Sequence, residues 1–239
     1  APQGMKGRPI TTEEYERMLT AVPSVVGTDH AEAWQHLLQG LWVTGLRLGE
    51  ALNLDWQNDS RLAVELNGEF PYFRIQARAE KGRRFRLLPM VPEAGAFFHT
   101  TPVAERRGPV FQPINPKDGG RPSLNWASKI ITRIGAAARV AVTEPKPRKT
   151  STGRRTGNNR LEPTHAPKWA SAHDFRRAFG FRLSNRVRAP LLQQLMRHQS
   201  VTTTLQFYVG SDAEAAAREL WREMRDTTNE GLEPGTNGL

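Results

Sequence analysis

The apolar residues of this 239-residue chain change their period twice along its length. Tyr15, Met18, Leu19 and Val22, and then Trp34, Leu37, Leu38, Leu41 and Trp42, recur three and four apart, which places each group on one face of a helix. Thr11-Thr12 followed by Glu13-Glu14 marks the start of the first of these, with acidic residues in the turn where backbone N–H groups lack partners. Between Arg61 and Met90 the pattern becomes three short extended runs, "RLAVEL", "YFRIQAR" and "RFRLLPM", separated by "NGEFP" and "AEKGR". Asn67-Gly68 is a hairpin signal. Helical spacing returns with Ala127, Ile130, Ile131, Ile134 and Ala138 in the segment from Leu124 to Val140. It recurs over 173–184, 190–197, 201–207 and 212–225. A chain that switches from period 3.6 to period 2 and back cannot be a plain bundle or a sandwich. The reading is an α+β domain, mainly helical, with a small three-stranded antiparallel sheet, over residues 1–226, followed by a tail at 227–239.

The charge is distributed unevenly. The chain carries 34 Lys and Arg against 24 Asp and Glu, a net charge of +10, which points to a polyanionic partner such as DNA. Thr143 to Lys168 has no apolar periodicity, is punctuated by Pro145, Pro147, Pro163 and Pro167, and is dense in Lys and Arg; it reads as a basic flexible loop. No run approaches the ~20 apolar residues needed to cross a membrane, and the first residues lack a signal-peptide core. The absence of cysteine removes disulfides and thiolate chemistry and fits a reducing cytoplasm; with DNA as the expected partner, the expected location is cytoplasmic and nucleoid-associated. The six histidines have no metal-ligand spacing, so neither a metal nor a cofactor is expected.

Signatures of nucleotide hydrolysis, zinc proteolysis and serine hydrolysis are absent from the sequence. Four other segments are informative together. "TGLRLGEALNLDW" resembles the first arginine box of the tyrosine recombinase (phage integrase) family. "AEKGRRFRLLPM" resembles that family's lysine-bearing hairpin, and "HDFRRAFGFRL" its H-x-x-R box. "LMRHQSVTTTLQFYV" resembles the closing segment, in which a histidine and a pair of threonines precede the nucleophilic tyrosine. "RPITTEEYERML" is similar to the usual opening of the catalytic domain. The boxes fall in family order. Two departures stand out: the last histidine follows Met196-Arg197 where Leu-Gly is usual, and Phe207 occupies the commonest position of the tyrosine, with Tyr208 one residue on. One residue is about 100° of helix rotation. Tyr15 and Tyr72 lie far from this segment.

The resemblance implies DNA strand cleavage and rejoining through a covalent 3′-phosphotyrosine on double-stranded DNA, with self-association into a tetrameric synapse. It implies Arg47 and Arg176 as the grip on the non-bridging phosphate oxygens and His198 as a further donor. It also implies His173 as base, Lys81 as the acid for the leaving 5′-oxygen and Tyr208 as nucleophile. The chemistry suits these residue types. Guanidinium groups stay charged and match phosphate as a fork, whereas a phenol with its ordinary pKa near 10 needs a base or a positive setting to attack. The family's N-terminal helical domain, which clamps the far face of DNA, has no counterpart in the sequence. Two other readings remain open: relaxation of DNA in the manner of a type IB topoisomerase, and a non-catalytic DNA-binding module on the same fold. Plainer roles also remain for single residues, such as an ion pair of Arg47 with Glu50 or a helix-cap pair of His173 with Asp174.

Overall fold

The computed structural model describes residues 7–57, 60–76, 85–143 and 167–197. Helix α1, Thr12–Val26, opens on a reciprocal cap: Thr11 Oγ1 accepts from the Glu14 N–H at 3.2 Å, and Glu14 Oε2 accepts from the Thr11 N–H at 2.9 Å. α2, Thr28–Thr44, is the central helix. Its Trp34, Leu37, Leu38 and Leu41 are fully buried, and α1, α4 and α6 pack around it. The short α3, Leu48–Leu52, follows after the turn at Gly45.

The sheet is larger than the expected three antiparallel strands. Among the described residues it has four, β1 (Leu54–Asp55), β2 (Leu62–Glu65), β3 (Tyr72–Ile75) and β4 (Arg86–Pro89), in the order β1-β2-β3-β4. β2, β3 and β4 are antiparallel as anticipated, with Val64 opposite Phe73 and Phe73 opposite Leu88, but β1 pairs with β2 in parallel. A two-residue strand leaves no alternation to read, which is why the fourth strand and the mixed character were missed. α4, Pro92–His99, lays Phe98 under Phe73 and Trp56 in edge-to-face contacts with ring centroids 5.8 and 6.0 Å apart.

α5, Leu124–Ala137, is capped by Ser123 and buries Ala127, Ile130, Ile131 and Ile134. It ends three residues before the expected Val140, where Arg139 takes a left-handed φ of 55° and turns the chain into β5, Ala141–Thr143. β5 pairs antiparallel with β6, Lys168–Trp169, so both ends of the expected basic loop are strand; residues 144–166 lie outside the described residues. Gly135 is required here, because a Cβ on it would stand 2.5 Å from the Ala170 carbonyl oxygen. α6, Ala172–Ser184, and α7, Ala189–Met196, complete the described chain. Its N-terminal strap is bolted down nearby: the Arg8 N–H donates to Val142 O at 3.2 Å, and the Arg8 guanidinium pairs with Glu14 and donates to Ala141 O at 2.8 Å. The helices expected over 201–207 and 212–225 lie outside the described residues, as does the tail. No described helix is long and apolar enough to cross a membrane.

Candidate active site

Arg47, His173 and Arg176 lie among the described residues; Lys81, His198 and Tyr208 lie outside them. The T-G-L-R segment is built around its glycine. Thr44 Oγ1 donates back to Gly40 O at 2.6 Å and accepts from the Leu46 N–H at 3.2 Å, which closes α2. Gly45 then turns left-handed at φ 60°, and a Cβ there would meet the Phe179 ring at 2.3 Å. Glycine is needed for both the conformation and the close approach. This turn brings α6 against the end of α2 and delivers Arg47 to the N-cap of α3.

Arg176, 131 positions beyond Gly45, enters the same place from α6. It is 3% exposed, donates through Nη1 to Gly45 O at 2.6 Å, and donates through Nη2 to Met196 O at the end of α7. Burial pushes its pKa down to about 9; the nearby Arg47 guanidinium adds to this, Arg197 adds further, and Glu50 opposes. It therefore remains charged at neutral pH, buried among carbonyl oxygens.

Glu50 is the counter-charge of the cluster. Its Oε2 accepts from the Arg47 backbone N–H at 2.8 Å, its Oε1 accepts from Arg47 Nη1 at 3.0 Å, and Arg197 Nη2 also donates to Oε2. Burial alone would raise the Glu50 pKa, but Arg197 and then Arg47 outweigh it and hold the carboxyl below its ordinary value. The side chain of Arg47 is 51% exposed and that of Arg197 13%. Two guanidinium groups, from the start of α3 and the end of α7, thus share one carboxylate, and the Arg176 guanidinium from α6 lies near enough to feel its charge without bonding to it. The sequence suggested only the local Arg47–Glu50 pair. Glu50 stands at the third position of α3, where a carboxylate caps a helix N-terminus, and that placement is the signal for its part in the cluster. Nothing local marks Arg197 as its second partner.

His173 sits in the first turn of α6, one residue before Asp174 and three before Arg176. Asp174, fully buried, accepts from the Ser171 N–H at 2.9 Å and from Ser171 Oγ at 2.7 Å, and pairs with Arg177. The expected helix-cap pair is therefore Ser171–Asp174, which leaves the His173 side chain outside it. Partial burial of the imidazole and then the Arg177 guanidinium push its pKa below the ordinary value; Arg176 and Lys168 add to this and Asp174 opposes. His173 is neutral at neutral pH, the form able to accept a proton. Tyr15 is engaged elsewhere. It stacks on Trp42 at 4.4 Å between ring centroids, and burial raises its phenol to about 12. No grouping of His, Asp and Glu among the described residues could hold a metal ion.

The architecture is the one found in tyrosine recombinases, and the likeness supports at the level of fold the resemblance read from the four motifs. Among solved structures, XerA recombinase matches 94% of this chain and 66% of its own at 18% identity and a TM-score of 0.51. Tn1549 transposon integrase in complex with transposon right-end DNA matches 93% of this chain and 67% of its own at 18% identity and a TM-score of 0.53. A lambda integrase dimer bound to a COC′ core site matches 87% of this chain and 61% of its own at 13% identity and a TM-score of 0.52. The chain thus spans about two thirds of the length of these proteins. No family model and no curated protein matches the sequence.

Proposed function

We propose that this chain is the catalytic domain of a site-specific DNA recombinase or integrase, which breaks and rejoins duplex DNA through a covalent 3′-phosphotyrosine. The observation that carries the proposal is the convergence of Arg47 and Arg176, far apart in sequence, on one partly open cluster with more guanidinium than carboxylate. Such a surplus of fixed positive charge suits an anion, and a phosphodiester gains negative charge as it is attacked. The DNA-bound state of the Tn1549 and lambda integrase structures supports DNA as the source of that phosphate.

In this reading Arg47 and Arg176 hold the two non-bridging oxygens, and His198 donates a further hydrogen bond. The Tyr208 phenol attacks phosphorus as its proton passes to His173. The bond from phosphorus to the 5′-oxygen breaks, and Lys81 protonates that oxygen. The phosphodiester is exchanged for a phosphotyrosyl ester of similar energy, so attack by a 5′-hydroxyl reverses the step without a nucleotide cofactor. The neutral state of His173 and the charged state of Arg176 at neutral pH both suit these roles. Recombination by a tetrameric synapse requires more of the protein than strand cleavage does, and this chain matches about two thirds of its structural neighbours.

Phe207 at the usual place of the tyrosine favours a second reading, a DNA-binding module without strand cleavage. Incubation with supercoiled plasmid in excess EDTA, followed by denaturation, separates the two. Protein joined covalently to nicked plasmid supports the recombinase chemistry, and retarded plasmid with no adduct supports the binding module. Cleavage only with added Mg²⁺ would contradict both.

A further inference from the structure

Arg197 is one of two described non-glycine residues with positive φ, at φ 49° and ψ 46°, the left-handed region in which glycine is the low-energy choice. Its backbone caps α7, a task glycine would do at lower cost, so the side chain is the reason to look for a role. That side chain is largely buried and reaches Glu50, 147 positions earlier in the chain. Its target, Oε2, is the oxygen that also caps the Arg47 N–H. Glu50 therefore contacts the Arg47 guanidinium with Oε1 alone, through the single nitrogen Nη1. Freed from Arg197, the carboxylate could turn both oxygens onto the Arg47 fork. That geometry is the one a phosphate uses, so Glu50 would then compete with phosphate for the same donors.

We propose that Arg197 is a positioning residue for phosphate binding: it holds the Glu50 carboxylate in single-nitrogen contact with Arg47, so that the remaining Arg47 donors stay available to an incoming oxyanion. The inference rests on reading Arg47 and Arg176 as the phosphate grip. The charge balance agrees, because three guanidinium groups around one carboxylate leave the cluster short of negative charge.

Inorganic sulfate is the probe, with the saturable rise in thermal unfolding midpoint as the readout and chloride used to hold ionic strength constant. Wild-type protein is expected to show a saturable response that Arg47→Gln abolishes. Arg197→Gly is expected to need about tenfold more sulfate for half-saturation, the size of one charge-assisted hydrogen bond. Arg197→Lys is expected to fall between the two. In the double variant Arg197→Gly with Glu50→Gln the competing charge is gone, and sulfate affinity is expected to return to within about threefold of wild type. Arg197→Asn, which tolerates the same backbone, repeats the measurement if the glycine variant fails to fold. Wild-type affinity in Arg197→Gly overturns the proposal. So does a double variant as weak as the single one, which would make Arg197 a direct anion contact. A wild-type protein with no saturable response, or one whose response survives Arg47→Gln, overturns instead the phosphate-grip reading on which the proposal rests.

Discussion

The guanidinium of Arg176 donates to the carbonyl oxygen of Gly45 at 2.6 Å, joining the middle of α6 to the left-handed turn that ends α2. Arg47 follows that turn by two residues, so this contact ties together the two arginines that grip phosphate in the proposed mechanism. Gly45→Ala strikes it twice, by forcing a Cβ into the left-handed region and by pushing that Cβ into the Phe179 ring. The expected loss is about 2–4 kcal/mol of stability, the sum of the backbone cost and a moderate overpacking cost. Urea denaturation measures it. At a temperature where the variant remains folded, phosphodiester cleavage should still be lower, because the turn that places Arg47 and carries one of the two carbonyl oxygens holding Arg176 is displaced. Wild-type stability in the variant would show that the turn adapts.

The acid limb of DNA cleavage should lie below the ordinary histidine value of 6.5, since burial and then Arg177 lower the pKa of His173. The sign follows from the role: a base acts when neutral, and a lowered pKa keeps it neutral to lower pH. The midpoint of the decline in cleavage is expected to lie below pH 6.5. His173→Ala should remove this limb as well as slow the reaction. A limb whose midpoint lies at or above 6.5 would assign the titration to another group. The measurement is single-turnover adduct formation against pH.

The described part of the candidate site was legible in the sequence because its pieces are local motifs. Thr44, Gly45 and Arg47 fall within one turn and its flanks, and His173 and Arg176 within the first turns of one helix. The helices α1, α2, α5, α6 and α7 were legible for the same reason, since each repeats its apolar stripe at 3.6 residues. α4 was not, because eight residues that begin with proline and end in Phe97-Phe98-His99 show no stripe. β1, β5 and β6 are two or three residues long and are defined by partners elsewhere in the chain, so no window of sequence contains their signal. The bond from Arg197 to Glu50 is the extreme case. Each residue has an ordinary local role as a helix cap, and only the fold brings them together.

DNA affinity should be dominated by phosphate contacts. Lys146, Arg148, Lys149, Arg154, Arg155 and Arg160 are concentrated in one Pro-rich segment, and contacts from it would carry no sequence information. The logarithm of affinity should fall linearly with the logarithm of salt, by ~0.9 for each phosphate neutralised. At physiological salt the dissociation constant should be on the order of 10⁻⁴–10⁻⁶ M on unrelated duplexes. Replacing the six residues with alanine should flatten the slope and leave single-turnover cleavage at saturating protein unchanged. Equal slopes for the two proteins, or tight binding to one duplex alone, would contradict this account of the charge.

The claim that cleavage proceeds through a phosphotyrosine at Tyr208 is tested most directly by finding where DNA becomes attached. Supercoiled plasmid is incubated with the protein in EDTA, the mixture is denatured and digested with nuclease and protease, and the nucleotide-bearing peptide is sequenced by mass spectrometry. Wild-type protein is expected to carry a 3′-linked nucleotide on the peptide that contains Tyr208, and Tyr208→Phe to bind DNA with unchanged affinity and form no adduct. An adduct that persists in Tyr208→Phe, or one that maps to Tyr15, Tyr72 or any residue other than Tyr208, would contradict the account.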